Sequence, residues 1–173
     1  MKYKAANRGF TLIELLITLS VAGIMLTIAA PSYQVFIQDS QLISQSNSMH
    51  SAMMLAKSEA VKRSSPATIC SSTNGTACNG GAVWSNGWLV FADTNNDGVV
   101  DAGEQIIQVG SPLSGGNVLN YNNGARITFA ASGFSVGFNG TFSLCDDRGA
   151  AKSKRLILNN QGRLHTETGG GTC

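Results

Sequence analysis

FTLIELLITLSVAGIMLTIAA, residues 10–30, is a run of 21 residues in which Glu14 is the only charge. A helix of that length, rising about 1.5 Å per residue, spans roughly 30 Å, the thickness of a bilayer's hydrocarbon core. The nine residues before it, MKYKAANRG, carry Lys2, Lys4 and Arg8 and no acid. That imbalance holds the N-terminus in the cytoplasm and sends the chain after Ala30 outside. A cleavable secretory signal fits poorly, because the apolar run is too long and no small-x-small site closes it before Pro31. Hydropathy leaves Glu14 unexplained: a carboxylate four residues into a span is costly and calls for a partner.

The rest of the chain is of a different kind. Only 13% of its 173 residues are charged and 20 are glycine, which excludes a disordered polyelectrolyte and leaves room for one domain beyond the apolar run. Apolar or small residues recur at near-helical spacing at Phe36, Ser40, Ile43, Met49, Met53, Ala56 and Ala60, so the helix is expected to continue to residue 63 and end at Ser64-Ser65-Pro66. Pro31 is expected to bend or loosen it. The Met stripe is read as packing against the following domain.

Beyond Pro66 the periodicity becomes strand-like. Candidate strands are 67–70, 87–92, 105–109, 118–121, 126–130, 134–138, 141–144, 155–158 and 163–166. Asn139-Gly140 between FSVGF and TFSLC reads as the strongest hairpin turn, and Asn160-Gln161-Gly162 as a second. The fold class is therefore α+β: a long N-terminal helix on an antiparallel sheet or small sandwich formed by residues 64–173. Cys70, Cys78, Cys145 and Cys173 all lie in that outer part, where an even count implies disulfides. Of the three possible pairings, Cys70 with Cys78 and Cys145 with Cys173 is preferred. No CxxC spacing supports a zinc site.

Gly9-Phe10-Thr11-Leu12-Ile13-Glu14-Leu15, after its basic leader, closely resembles the class III signal of type IV pilins and type II secretion pseudopilins. The resemblance implies that residues 1–9 are a leader removed by a prepilin peptidase after Gly9 and that Phe10 becomes an N-methylated terminus. It implies that Glu14 neutralises the N-terminal amine of a neighbouring subunit during assembly; an ammonium and a carboxylate are each costly alone in an apolar medium and far less so paired. WSNGWLVFADTNNDGVVDAGEQIIQV, residues 84–109, and the Gly162-Arg163 element resemble the GspH/FimT group, most of all its FimT/FimU-type minor pilins. This second resemblance implies a structural subunit that helps to prime or assemble a type IV pilus serving motility, adhesion or DNA uptake. Its partners would be other minor and major pilins, the prepilin peptidase and the assembly platform of the bacterial inner membrane. It would cross that membrane once, with the C-terminal domain periplasmic, before entering the fibre. The alternatives are a DNA-binding minor pilin of natural transformation and a GspH-like pseudopilin of type II secretion.

Two further patterns carry chemistry. Asp93, Asn95, Asp97, Gly98, Asp101 and Glu104 match D-x-[DN]-x-[DN]-G-x5-E, the ligand spacing of an EF-hand calcium loop. Strand-like residues flank it where an EF-hand has helices, so a polar loop capping its own backbone is favoured over calcium, and no cofactor is expected. Residues 148–165 contain Arg148, Lys152, Lys154, Arg155 and Arg163 without an acid. Lys152, Lys154, Arg155 and Arg163 are the candidate contacts to DNA phosphates. A GRxR-like element, which the resemblance associates with DNA binding, here reads Gly162-Arg163-Leu164-His165, with histidine in place of the second arginine. Residues 145–173 also lack an aromatic residue for base stacking. His50 and His165, the only histidines, sit in no nucleophile-base pattern, and no P-loop is present. A non-enzymatic building block is expected.

Overall fold

The computed structural model describes residues 9–173. α1 (Leu12–Arg63) is followed by β1 (Ala67–Ser71), β2 (Trp88–Ala92), β3 (Ile106–Gly110), β4 (Val118–Tyr121), β5 (Arg126–Phe129), β6 (Gly140–Cys145), β7 (Lys154–Leu158) and β8 (Leu164–Thr168). The chain divides into two units, residues through Ile37 and Gln38–Cys173. The leader, residues 1–8, lies outside the described residues, and Gly9 is exposed.

In the first unit every residue from Gly9 to Phe36 is exposed, including Phe10, Leu12, Ile17, Ile24, Leu26 and Ile28. The helix runs through Pro31 rather than ending there, so the missing Pro31 donor costs one rung of the ladder and does not stop the helix.

The second unit holds two four-stranded antiparallel sheets, of order β3-β2-β1-β5 and β4-β6-β7-β8. One core joins them to the helix. Leu42, Met49, Ala52, Met53, Ala56 and Ala60 of α1 pack with Ile69, Val90, Ile127 and Phe129 of the first sheet and with Leu119, Tyr121, Phe142, Leu144 and Leu156 of the second. Trp84, Tyr121 and Phe142 form its aromatic centre: Trp84 meets Phe142 edge-on at 5.0 Å between ring centroids, and Tyr121 stacks on Phe142 at 4.2 Å. The helical stripe differs from expectation in its first half. Phe36, Ser40 and Ile43 face outward, and Leu42 and Ser46 take the buried positions, because the register that buries Met49 and Met53 carries Ser46 and Leu42 to the same face.

α1 stops where its backbone turns left-handed at Ser64, φ 50°. The Ser65 amide donates to Ala60 and the Ser64 amide to Val61, and Pro66 follows, which together form a Schellman cap. β1 is buried on both faces. Behind its sheet, Cys70, Leu89 and Phe91 form a second small core with Cys78, Val100 and Ile106.

Residues 134–138 are not a strand, and Asn139-Gly140 is not a hairpin turn. Ser135 is fully buried there and donates its amide to Asn160 O at 2.9 Å and its hydroxyl to Asn159 O at 3.0 Å. The segment is thus spent on pinning the β7–β8 turn, while Phe134 and Val136, which an alternating strand would have buried on one face, are exposed. The β7–β8 hairpin itself does turn at Asn160-Gln161-Gly162, with Leu158 opposite Leu164. Gly162 sits at φ 66°, and a Cβ there would collide with the Gly133 carbonyl.

Candidate functional site

The exposed end of α1 begins with a reciprocal cap. The Glu14 amide donates to Thr11 Oγ1 at 3.2 Å, while Glu14 Oε2 accepts the Thr11 amide at 2.9 Å and its hydroxyl at 2.7 Å. This is a capping box, Thr-x-x-Glu, immediately before an apolar run. The spacing was visible in the sequence but masked by the strength of the surrounding hydrophobic signal. Glu14 is thereby held at the first turn, with Oε1 taking none of these bonds.

Polar contacts fasten the second unit's part of α1 to the β structure at both ends. At its start, Arg148 reaches Asp39 Oδ1 at 2.8 Å and Asp146 Oδ2 at 2.6 Å, and Gln38 donates to Asp147 at 3.0 Å. Burial pushes the Asp146 carboxyl up, but the Arg148 hydrogen bonds prevail and hold it below its usual value. Further along, Lys57 donates to Gly162 O at 2.9 Å. Near the end, Glu59 accepts from Arg63 at 2.7 Å and Lys62 at 3.2 Å, and Arg63 also donates to Gln105. The hydrogen bond from Arg63, then that from Lys62, holds the Glu59 carboxyl low. Arg148 is therefore a clamp on the helix; its placement beside Asp39 required the tertiary fold and had no signal in the sequence.

Two disulfides join Cys70 to Cys78 and Cys145 to Cys173. The first closes the loop that covers the outer face of β1, and the second fixes the C-terminal segment beside β6.

The loop 93–104 joins β2 to β3, and its polar groups mostly serve its own backbone. Asn95 Oδ1 accepts the Asp97 amide at 3.3 Å and Asp97 Oδ1 accepts the Val99 amide at 2.8 Å. Glu104 accepts the Thr94 amide at 2.7 Å and the Asp101 amide at 3.2 Å. The Arg126 guanidinium donates to the Asp97 carbonyl. Asp93 is fully buried, and its Oδ2 accepts the Thr68 hydroxyl at 2.6 Å and the Gly98 amide at 3.1 Å. Among the described residues, no three His, Cys, Asp or Glu side chains stand gathered as a metal-holding group.

The candidate DNA contacts do not form one strip. Lys154 and Arg155 are successive on β7 and so point to opposite faces of the sheet. Lys154 donates to Thr168 at 2.8 Å, and Arg155 pairs with Glu167 across the β7–β8 ladder. Lys152 and Arg163 are exposed, at opposite ends of that hairpin. His165 lies 3.5 Å from Glu167, while His50 belongs to α1.

The fold has counterparts among solved structures. Two crystal forms of the type IV minor pilin FimU from Pseudomonas aeruginosa strain PAO1 superpose on it. In space group P21 the TM-score is 0.62 at 18% identity, over 76% of this chain and 92% of that one. In space group P65 the TM-score is 0.57 at 19% identity, over 73% and 92% respectively. At that identity the likeness concerns the fold. Residues 4–30 match the prokaryotic N-terminal methylation motif, a span that includes Gly9, Phe10 and Glu14. Residues 45–162, most of the helix-and-sheets unit, match the model described as type II transport protein GspH, and the chain belongs to that family.

Proposed function

We propose that the protein is a minor pilin, a non-enzymatic subunit of a type IV pilus that acts in assembly of the fibre with other pilins. The observation that carries this reading is the first half of α1. From Gly9 to Phe36 it is exposed on all sides, apolar around its whole circumference, and charged only at Glu14. Such a surface suits lipid before assembly and neighbouring helices afterwards, where close packing and a paired carboxylate replace lipid contacts. In this reading Gly9 is the cleavage position, Phe10 the methylated terminus and Glu14 the partner of another subunit's amine. The β sheets remain periplasmic and then face outward on the fibre.

The test is complementation of a deletion strain with Glu14→Ala, scored separately for membrane accumulation and for presence in sheared fibres. Accumulation of processed protein with loss from fibres is the expected result. Wild-type incorporation of Glu14→Ala would sink the assembly role of Glu14. A second reading, a pseudopilin of type II secretion, is favoured by the family match over residues 45–162. Deletion that leaves surface fibres unchanged and stops export of secreted enzymes would select it.

A further inference from the structure

Strands on both sides of D-x-N-x-D-G-x-x-D-x-x-E weigh against calcium when only the sequence is read. The fold supplies what flanking helices supply in an EF-hand. β2 and β3 are antiparallel, and the Ala92 amide donates to Gln105 O at 3.0 Å just outside the loop. The first and last ligand positions are thereby closed on each other, and Thr94 and Glu104 bond across the gap.

An independent observation points to a ligand. Asp93, at the first ligand position, has no exposed surface, and its Oδ1 is buried without any hydrogen-bond partner. Oδ2 accepts the Gly98 amide across the loop and the Thr68 hydroxyl from β1, which leaves Oδ1 as the carboxylate's uncommitted ligand atom. A buried carboxylate with one oxygen unsatisfied is costly, and a cation at that oxygen removes the cost. At the tip, the Asn95 amide nitrogen lies 3.0 Å from Asp97 Oδ2 and 2.8 Å from Asp101 Oδ2, so two exposed carboxylates already converge on one donor.

We propose that the loop 93–104 binds a calcium ion through Asp93 Oδ1, the side chains of Asn95, Asp97, Asp101 and Glu104, and the Val99 carbonyl. Asp97 and Asp101 exchange the Asn95 amide for the ion, which gathers groups that the loop now holds on separate donors. The ligand atoms are all oxygens on an irregular turn, which suits calcium over the smaller, rigidly octahedral magnesium. Arg126, held on the Asp97 carbonyl, opposes the ion's charge. The dissociation constant is accordingly placed in the range of about 10⁻⁴ to 10⁻³ M found for extracellular modules.

The experiment is calorimetric titration of the full chain in detergent with calcium chloride or magnesium chloride, together with thermal unfolding. Calcium at tenfold excess over its dissociation constant should raise the melting temperature by about 3–5 °C, with magnesium at the same concentration leaving it unmoved. Asp93→Asn would also disturb the Thr68 bond, so Glu104→Gln and the exposed-site variant Asp97→Asn carry the test; each should weaken binding at least tenfold. The absence of both heat and a melting shift at 10 mM calcium overturns the proposal. So does an equal shift in wild type, Glu104→Gln and Asp97→Asn.

Discussion

The two halves of α1 share one backbone conformation and almost nothing else. Up to Phe36 the apolar residues are spread around the helix and all are exposed. From Leu42 to Ala60 most of them lie on one stripe, and that stripe is buried, with Ile43 left exposed beside it. The stripe also alternates size: Leu42, Met49 and Met53 fill space, while Ser46, Ala52, Ala56 and Ala60 let other parts of the core approach the helix backbone. Helix formation is thus a poor guide to environment. What separates a lipid-facing or subunit-facing helix from a core helix is whether its apolar residues form a ring or a stripe.

That contrast can be broken from the core side first. Met49→Ala with Met53→Ala should cost about 4 kcal/mol or more, since each buried Met truncation costs roughly 2–5 kcal/mol, and should leave the second unit largely unfolded in a thermal melt. Ile17→Ala, in the exposed half, should leave that melt within about 0.5 kcal/mol of wild type. An equal effect of the two changes would abolish the distinction.

Reduction sharpens it next, because both disulfides lie among the strands. The Cys145–Cys173 bridge spans 28 residues and the Cys70–Cys78 bridge 8. Chain-entropy arithmetic then assigns about 3.5 and about 2.5 kcal/mol respectively. Serine pairs at each bridge, compared by denaturant unfolding, should keep that order, and far-ultraviolet dichroism of the first half of α1, isolated by subtraction, should not change.

The smallest effect concerns the place where ring gives way to stripe. Asp146 has a folded-state pKa below its ordinary 3.8, so its contribution through Arg148 is complete above about pH 4 and fades as pH falls further. Asp146→Asn should remove about 1–3 kcal/mol at neutral pH and flatten the melting temperature's decline between pH 4 and 3. Hydrogen exchange at residues 38–42 should rise before exchange at residues 49–60, moving the boundary along the helix. Uniform exchange would show that the clamp does not set it.

The sequence was legible wherever one signal acted alone. The apolar ring, the Ser64-Ser65-Pro66 stop and the Asn160-Gln161-Gly162 turn each had no competitor. It misled at FSVGF, whose alternation is that of a strand, because Ser135 is committed to the carbonyls of Asn159 and Asn160, a demand arising in a distant turn. The basic residues from Arg148 to Arg163 looked like one surface because a linear count ignores the pleat. Arg148 is engaged by Asp39 and Asp146, and Lys154 and Arg155 are divided between faces. The acidic loop was readable as a ligand pattern, but neither the closure of its ends nor the solitary Asp93 oxygen could be seen without the fold.

The Thr11–Glu14 cap has a bearing on how chains could come together. Only Oε2 of Glu14 is engaged by Thr11. In the assembly proposed above, the other oxygen is left for an ammonium from a second molecule, so docking need not unwind the first turn. One carboxylate would then serve as both latch and landing point, and lengthening a fibre would leave each new member's tip already in its final shape.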